Sequence, residues 1–246
     1  MMIVNPYRTD GFGAQLQTII YSIVYAEFNN YKFSYVPFIT MAHNYNNDPF
    51  FLLKKELLIN FIFNFNVSYN AEYQLTQSVQ NNITMIEIFT KFFESDIEKH
   101  YNSKSIKFIK DVIKKDKISP FSSKNIVIHI RRQNIHDTRT EGTDVSNDIY
   151  NELITKLMIL YPDHKVHIYS QEIFETNLNV IQHINESIED TFKAFIFADI
   201  LVTAPSSFSY IGAMLNDNLV YYIVCLHPPM KHWINITTLL KKSSGC

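Results

Sequence analysis

The sequence predicts an α/β protein whose second half is a parallel, doubly wound sheet. From residue 125 onward, short β-branched apolar runs alternate with longer segments of helical periodicity, the pattern of strand–helix–strand crossovers. The first of those runs, Asn125-Ile126-Val127-Ile128-His129-Ile130, has the character of a strand covered on both faces. Residues 116–124, with Pro120, Ser119, Ser122 and Ser123, read as a linker. The expected domains are therefore 1–122 and 123–246.

In the first domain, Met2 to Val4 is a short strand. Asp10-Gly11-Phe12-Gly13-Ala14-Gln15 is a glycine-containing turn. Leu16, Ile19, Ile20, Ile23 and Val24 then recur at helical spacing through Phe28. A strand, a glycine turn and a helix can aim backbone N–H groups at a ligand, although a plain β–α turn has the same outline. Tyr31 to Phe38 reads as the next strand, ended by Pro37, and 40–49 as a polar loop carrying His43, Asn44, Asn46, Asn47 and Asp48. Residues 51–63 read as helical and 83–93 as a further apolar run. Asn102 to Lys115 is amphipathic, with Ile106, Ile109, Val112 and Ile113 on one face and lysines on the other.

In the second domain, strand 125–131 leads into a polar loop, 133–144. Ser146 is suited to cap a helix running to Tyr161 with Ile149, Leu153, Ile154 and Leu157 inward. Lys165 to Tyr169 is a strand, 190–198 a helix, 200–203 a strand, 208–215 a helix and 219–226 a last strand. A closing helix, 232–242, is expected to pack back on the first domain.

Composition excludes several classes. Hydrophobic residues make up 46% of the 246 and charged residues 19%, which fits a globular chain. The net charge of −2 gives no field to attract nucleic acid, and Arg131-Arg132 is an isolated basic pair, so no nucleic-acid partner is expected. No run approaches the ~20 apolar residues of a membrane span. With no signal peptide at the N-terminus and only Cys225 and Cys246 as cysteines, a cytoplasmic, reducing location is expected.

Three predicted strand ends carry polar groups: Arg131-Arg132, Ser170-Gln171 and Ser206-Ser207. Ligands of open α/β sheets sit beyond the carboxyl ends of the strands. Guanidinium matches phosphate with a planar fork and stays charged. Ser206-Ser207 opens a helix, whose unpaired N–H groups and partial positive charge favour anions; Ser206 equally suits a plain helix cap. Together they describe an anion site of nucleotide-diphosphate type. No Asp-x-Asp pair is present. His164-x-x-His167 makes a poor metal site, because His167 lies on a strand and His164 in the turn before it. No metal and no cofactor is expected.

His129-Ile130-Arg131-Arg132 resembles the HxRR motif of the GDP-fucose-dependent fucosyltransferase superfamily, the α1,2-, α1,6- and protein O-fucosyltransferases. Phe197-Ala198-Asp199-Ile200-Leu201-Val202 followed by Ser206-Ser207-Phe208-Ser209 resembles that superfamily's acidic–apolar strand and Ser-Ser-Phe-Ser block. Gly11-Phe12-Gly13-Ala14-Gln15 is similar to its glycine-rich N-terminal motif, with Ala14 where Asn is usual. The resemblance covers roughly residues 8–28 and 125–220.

The resemblance implies a GT-B-like α/β architecture, two Rossmann-like domains with parallel sheets facing a cleft. It implies metal-free, inverting transfer of fucose from GDP-fucose to a glycan hydroxyl. The same residues would also serve another nucleotide sugar, or a nucleotide-sugar-binding homologue without catalysis. By the resemblance, Arg131 contacts the diphosphate and stabilises the leaving group, and Arg132 assists or holds the loop. His129 reaches the nucleoside or is a buried structural histidine. Asp190, or else Asp199, pairs with guanine. Ser206 and Ser207 bind phosphate or sugar hydroxyls. Of the loop carboxylates Asp137, Glu141 and Asp144, Glu141 is the nearest match to a glutamate beside the acceptor, and so the expected base. Gly11, Gly13, Gln15, Ser170 and Gln171 complete the expected binding set.

Overall fold

The computed structural model describes residues 1–43, 47–63, 79–115, 119–132, 144–224 and 227–240. The chain divides into two compact units, Met1–Ile118 and Ser119–Cys246, parting within the Pro/Ser segment. Both are α/β with parallel strands.

In the first unit, β1 (Met2–Val4) pairs with β2 (Lys32–Ser34) across α1 (Phe12–Phe28). Four more helices follow: α2 (Phe51–Phe63), α3 (Val79–Ser95), α4 (Ile97–Tyr101) and α5 (Lys104–Lys115). The helix α1 is the centre of this unit, with Leu16, Ile19, Ile20 and Val24 buried and Tyr21 stacked on Phe93 of α3 at 4.0 Å. Glu27 of α1 accepts from the N–H groups of Lys104 and Ser105 and so caps α5 from outside it. The expected strand 31–38 is shorter. Past Ser34 the Asn5 side chain both accepts from the Val36 N–H (2.8 Å) and donates to the Val36 carbonyl (2.9 Å), so a side chain replaces the ladder.

The second unit runs β3 (Asn125–His129), α6 (Asn147–Leu160), β4 (Lys165–Ser170), β5 (Ile181–Ile184), α7 (Ile188–Phe197), β6 (Ile200–Val202), α8 (Ser207–Leu215), β7 (Leu219–Tyr222), β8 (Ile234–Asn235) and α9 (Thr237–Leu240). Its sheet is ordered β5-β4-β3-β6-β7-β8 and every pairing is parallel. Alternation along β3 assigns the faces. Ile126, Ile128 and Ile130 pack against Tyr150, Leu153, Ile154 and Leu157 of α6. His129 points the other way, onto Phe195 of α7 and Phe208 of α8.

Several boundaries differ from the expectation. The first strand of this unit stops at His129, so both arginines lie beyond it, although the Ile130 N–H still reaches the Tyr169 carbonyl. Ile149 is 38% exposed, and the buried face of α6 begins instead at its neighbour Tyr150. β5 was not anticipated. The Leu219–Leu226 run leaves the ladder after Tyr222, where the Ile223 N–H bonds the Thr203 hydroxyl instead. Residues 234–235 of the expected closing helix form β8, and the described helix begins only after Asn235, whose side chain accepts from the Thr237 N–H. It lies against α6, where the Lys156 ammonium donates to the Leu239 and Leu240 carbonyls. Among the described residues, no helix is long and apolar enough to cross a membrane.

Candidate functional site

In the second unit, the chain winds from β3 outward through β4 to β5, then returns to β6 and winds the other way through β7 to β8. Its direction reverses between β3 and β6, which are hydrogen-bonded neighbours. Such a reversal leaves a crevice at the carboxyl ends of the two strands, because the connections leave it in opposite directions. That crevice is where open α/β sheets take their ligands, nucleotides among them. Arg131 follows β3 at this point and Ser206-Ser207 follow β6. Neighbouring strands lie about 4.8 Å apart, so the sheet itself brings the two segments together.

The turn after β6 is rigid for local reasons. Ser206 caps α8 by accepting from the Phe208 N–H at 3.2 Å. Ser209, fully buried, accepts from the Ala204 N–H at 3.1 Å and donates back to the Ala204 carbonyl at 3.2 Å. Phe208 packs on Phe192 and Phe195 and beneath His129. The Ser207 hydroxyl has a different partner, Nε2 of His227, at 3.2 Å. His227 lies past β7, and no motif pointed to it. The signal was present: it is the first polar residue after the predicted strand 219–226, a fourth polar strand end.

His129 and the two arginines take separate roles. Burial, reinforced by the Arg131 charge, pushes the His129 imidazole down to about 3. It is therefore a neutral ring in an aromatic layer, and among the described residues its buried Nδ1 has no hydrogen-bond partner. Arg132 turns back onto its own unit. Its guanidinium donates to the Val145 carbonyl and the Asn147 side chain and lies over the Tyr150 ring at 5.4 Å, fastening the start of α6.

The other expected residues are placed as follows. The Ser170 hydroxyl donates to the Glu172 carbonyl within its own turn, and Gln171 is exposed beside it. Asp190 is exposed in the first turn of α7, at the carboxyl edge. It accepts from the Ser187 hydroxyl at 2.7 Å while its N–H donates to that oxygen, a reciprocal cap. Burial, with the charges of Glu186 and Asp190, pushes the nearby Tyr169 hydroxyl up to about 12. Asp199 must be corrected. It precedes β6, at the amino edge, where its carboxylate accepts from the Asn125 N–H and side-chain amide, both at 2.9 Å. That is about 20 Å along β3 from Arg131 at ~3.3 Å per residue, so Asp199 fastens two strand starts and is not in the crevice. Glu141 and Asp137 lie outside the described residues.

In the first unit, Gly11 is the N-cap of α1 with extended backbone. A Cβ there would sit 2.7 Å from the His43 ring, so a larger residue would have to displace that exposed side chain. Gly13 is buried in the first turn. The Gln15 amide donates to the Asp10 and Thr40 carbonyls at 2.8 and 2.9 Å, tying the glycine turn to the loop after β2. Among the described residues, no group of three His, Cys, Asp or Glu side chains is placed to hold a metal ion.

No family model and no curated protein sequence matches the chain. Two solved structures are similar to it in backbone path. One is E. coli heptosyltransferase WaaC with ADP-2-deoxy-2-fluoro heptose, at a TM-score of 0.49 and 12% identity over 95% of this chain and 91% of that one. The other is E. coli heptosyltransferase WaaC with ADP, at a TM-score of 0.48 and 11% identity over 98% and 97%. At these values the likeness is one of general shape.

Proposed function

We propose that the chain is a metal-independent, inverting glycosyltransferase of GT-B type that transfers fucose from GDP-fucose to a glycan hydroxyl. The observation that supports it best is the reversal between β3 and β6, with Arg131 following one strand and Ser206-Ser207 at a helix N-terminus following the other. A diphosphate at that crevice would meet a guanidinium, a hydroxyl and the positive end of α8. In the proposed reaction, the acceptor hydroxyl attacks the sugar carbon opposite the diphosphate. The carbon–oxygen bond to phosphate breaks with its electron pair going to the diphosphate. The hydroxyl proton passes to Glu141. Asp190, at the carboxyl edge, accepts from the guanine N–H groups.

A melting-temperature panel of GDP, UDP, ADP, GDP-fucose, GDP-mannose and UDP-sugars tests the sugar-nucleotide assignment. GDP is expected to stabilise more than UDP or ADP, and Asp190→Asn to reduce that preference in a folded protein. Equal stabilisation by GDP and UDP would end the guanine assignment. Transfer is expected to survive EDTA; a strict need for Mn²⁺ or Mg²⁺ would contradict the metal-free reading. Glu141→Gln is expected to lower turnover without changing GDP affinity, and unchanged turnover would remove Glu141 as the base.

A further inference from the structure

We propose that His227 is a positioning residue for the Ser207 hydroxyl, which it turns into a hydrogen-bond donor to the phosphate of a nucleoside diphosphate. The proposal rests on reading the β3–β6 crevice as a diphosphate site. Within the Ser206–Ser209 block, Ser206 and Ser209 hold the turn and cap the helix. The Ser207 hydroxyl is held instead from the loop after β7, by His227 at 3.2 Å.

A serine hydroxyl carries one proton and two lone pairs. If Nε2 of His227 accepts, that proton is directed to the imidazole and a phosphate oxygen would face a lone pair. If Nε2 carries the hydrogen, His227 donates to Ser207 and the hydroxyl proton is left for the phosphate. A bound anion therefore selects the form of His227 protonated at Nε2. The imidazole is fixed for this task. Tyr210, one turn after Ser207 on α8, donates its hydroxyl to the Pro228 carbonyl at 2.9 Å and sets its ring 5.0 Å from that of His227. The loop after β7 is thus fastened to α8 at two successive turns, which holds the backbone of His227 beside Ser207.

The test is a double-mutant cycle read by calorimetric titration of GDP into the full chain: wild type, His227→Ala, His227→Gln, Ser207→Ala and the double variant His227→Ala/Ser207→Ala. His227→Ala is expected to weaken GDP by roughly 3–10-fold, the scale of one hydrogen bond. His227→Gln, whose amide can still donate to Ser207, is expected to recover most of that loss. On the Ser207→Ala background, His227→Ala is expected to add nothing, the signature of one residue acting through another. If His227→Ala does not fold, the cycle is run with His227→Asn, whose shorter amide should not reach Ser207. GDP affinity unchanged in the His227 variant, or the same loss on both backgrounds, would overturn the proposal. Failure of wild type to bind any nucleoside diphosphate would instead overturn the reading of the crevice.

Discussion

Arg131→Ala is expected to lose on the order of 10²–10³-fold in glycosyl transfer, the scale of removing one preorganised donor from a developing anion, with near-normal circular dichroism and melting. Arg131 follows a strand buried on both faces, and the Ile130 N–H just before it is still bonded to the Tyr169 carbonyl, so the chain leading into Arg131 is anchored in the sheet. In the proposed transfer, charge grows on the diphosphate as the bond between sugar and phosphate breaks. In that reaction, a guanidinium at this position would stabilise that charge more in the transition state than in the ground state, which is what lowers a barrier. Arg131→Lys keeps the charge and loses the fork, so its transfer should fall between alanine and wild type. Near-wild-type transfer by the alanine variant would remove Arg131 from the mechanism. Arg132→Ala should behave in the opposite way. Its guanidinium is held by Val145, Asn147 and Tyr150, so its loss should lower the melting temperature more than the turnover of the folded fraction.

That contrast marks what the sequence made legible. The strand before the arginines could be read because a parallel central strand is apolar on both faces, and few other elements look like it. The resemblance gave Arg131 the diphosphate and Arg132 a supporting role, but the partners that hold Arg132, a carbonyl and an amide 13 and 15 residues further on, could not be read, because periodicity does not encode them. The same holds for Gln15, whose bond to Thr40 crosses 25 residues. β5 was missed because it is an edge strand with two polar residues in four and its end isoleucines exposed. Asp199 is a different failure. The strand after it had been placed correctly, and a residue preceding a strand lies at the amino edge of a parallel sheet. The order of the elements therefore already argued against a role for it beside Arg131.

Gly212→Leu is expected to destabilise the second unit by ~3 kcal/mol or more, the upper range for inserting volume into a packed core. Gly212 is buried on α8 where the helix crosses α7, and a Cβ at this position would lie 2.7 Å from Cβ of Phe195 and 3.0 Å from its ring. The nearest clashing atom is a Cβ, so no rotamer of Phe195 relieves it and the two helices must move apart. Phe195 in turn packs on Phe208, His129 and Tyr169, so the displacement reaches the floor of the crevice and the start of α8. The informative variant is the smaller one. Helix propensity alone says that Gly212→Ala should gain about 1 kcal/mol, because glycine is the poorer helix former. The contact with Phe195 says that the sign is reversed, a net loss of about 1 kcal/mol from overpacking, with weaker GDP binding as α8 shifts Ser207. Urea unfolding separates the two, and a Gly212→Ala protein more stable than wild type would mean that α7 and α8 do not meet as closely as the contact with Phe195 requires.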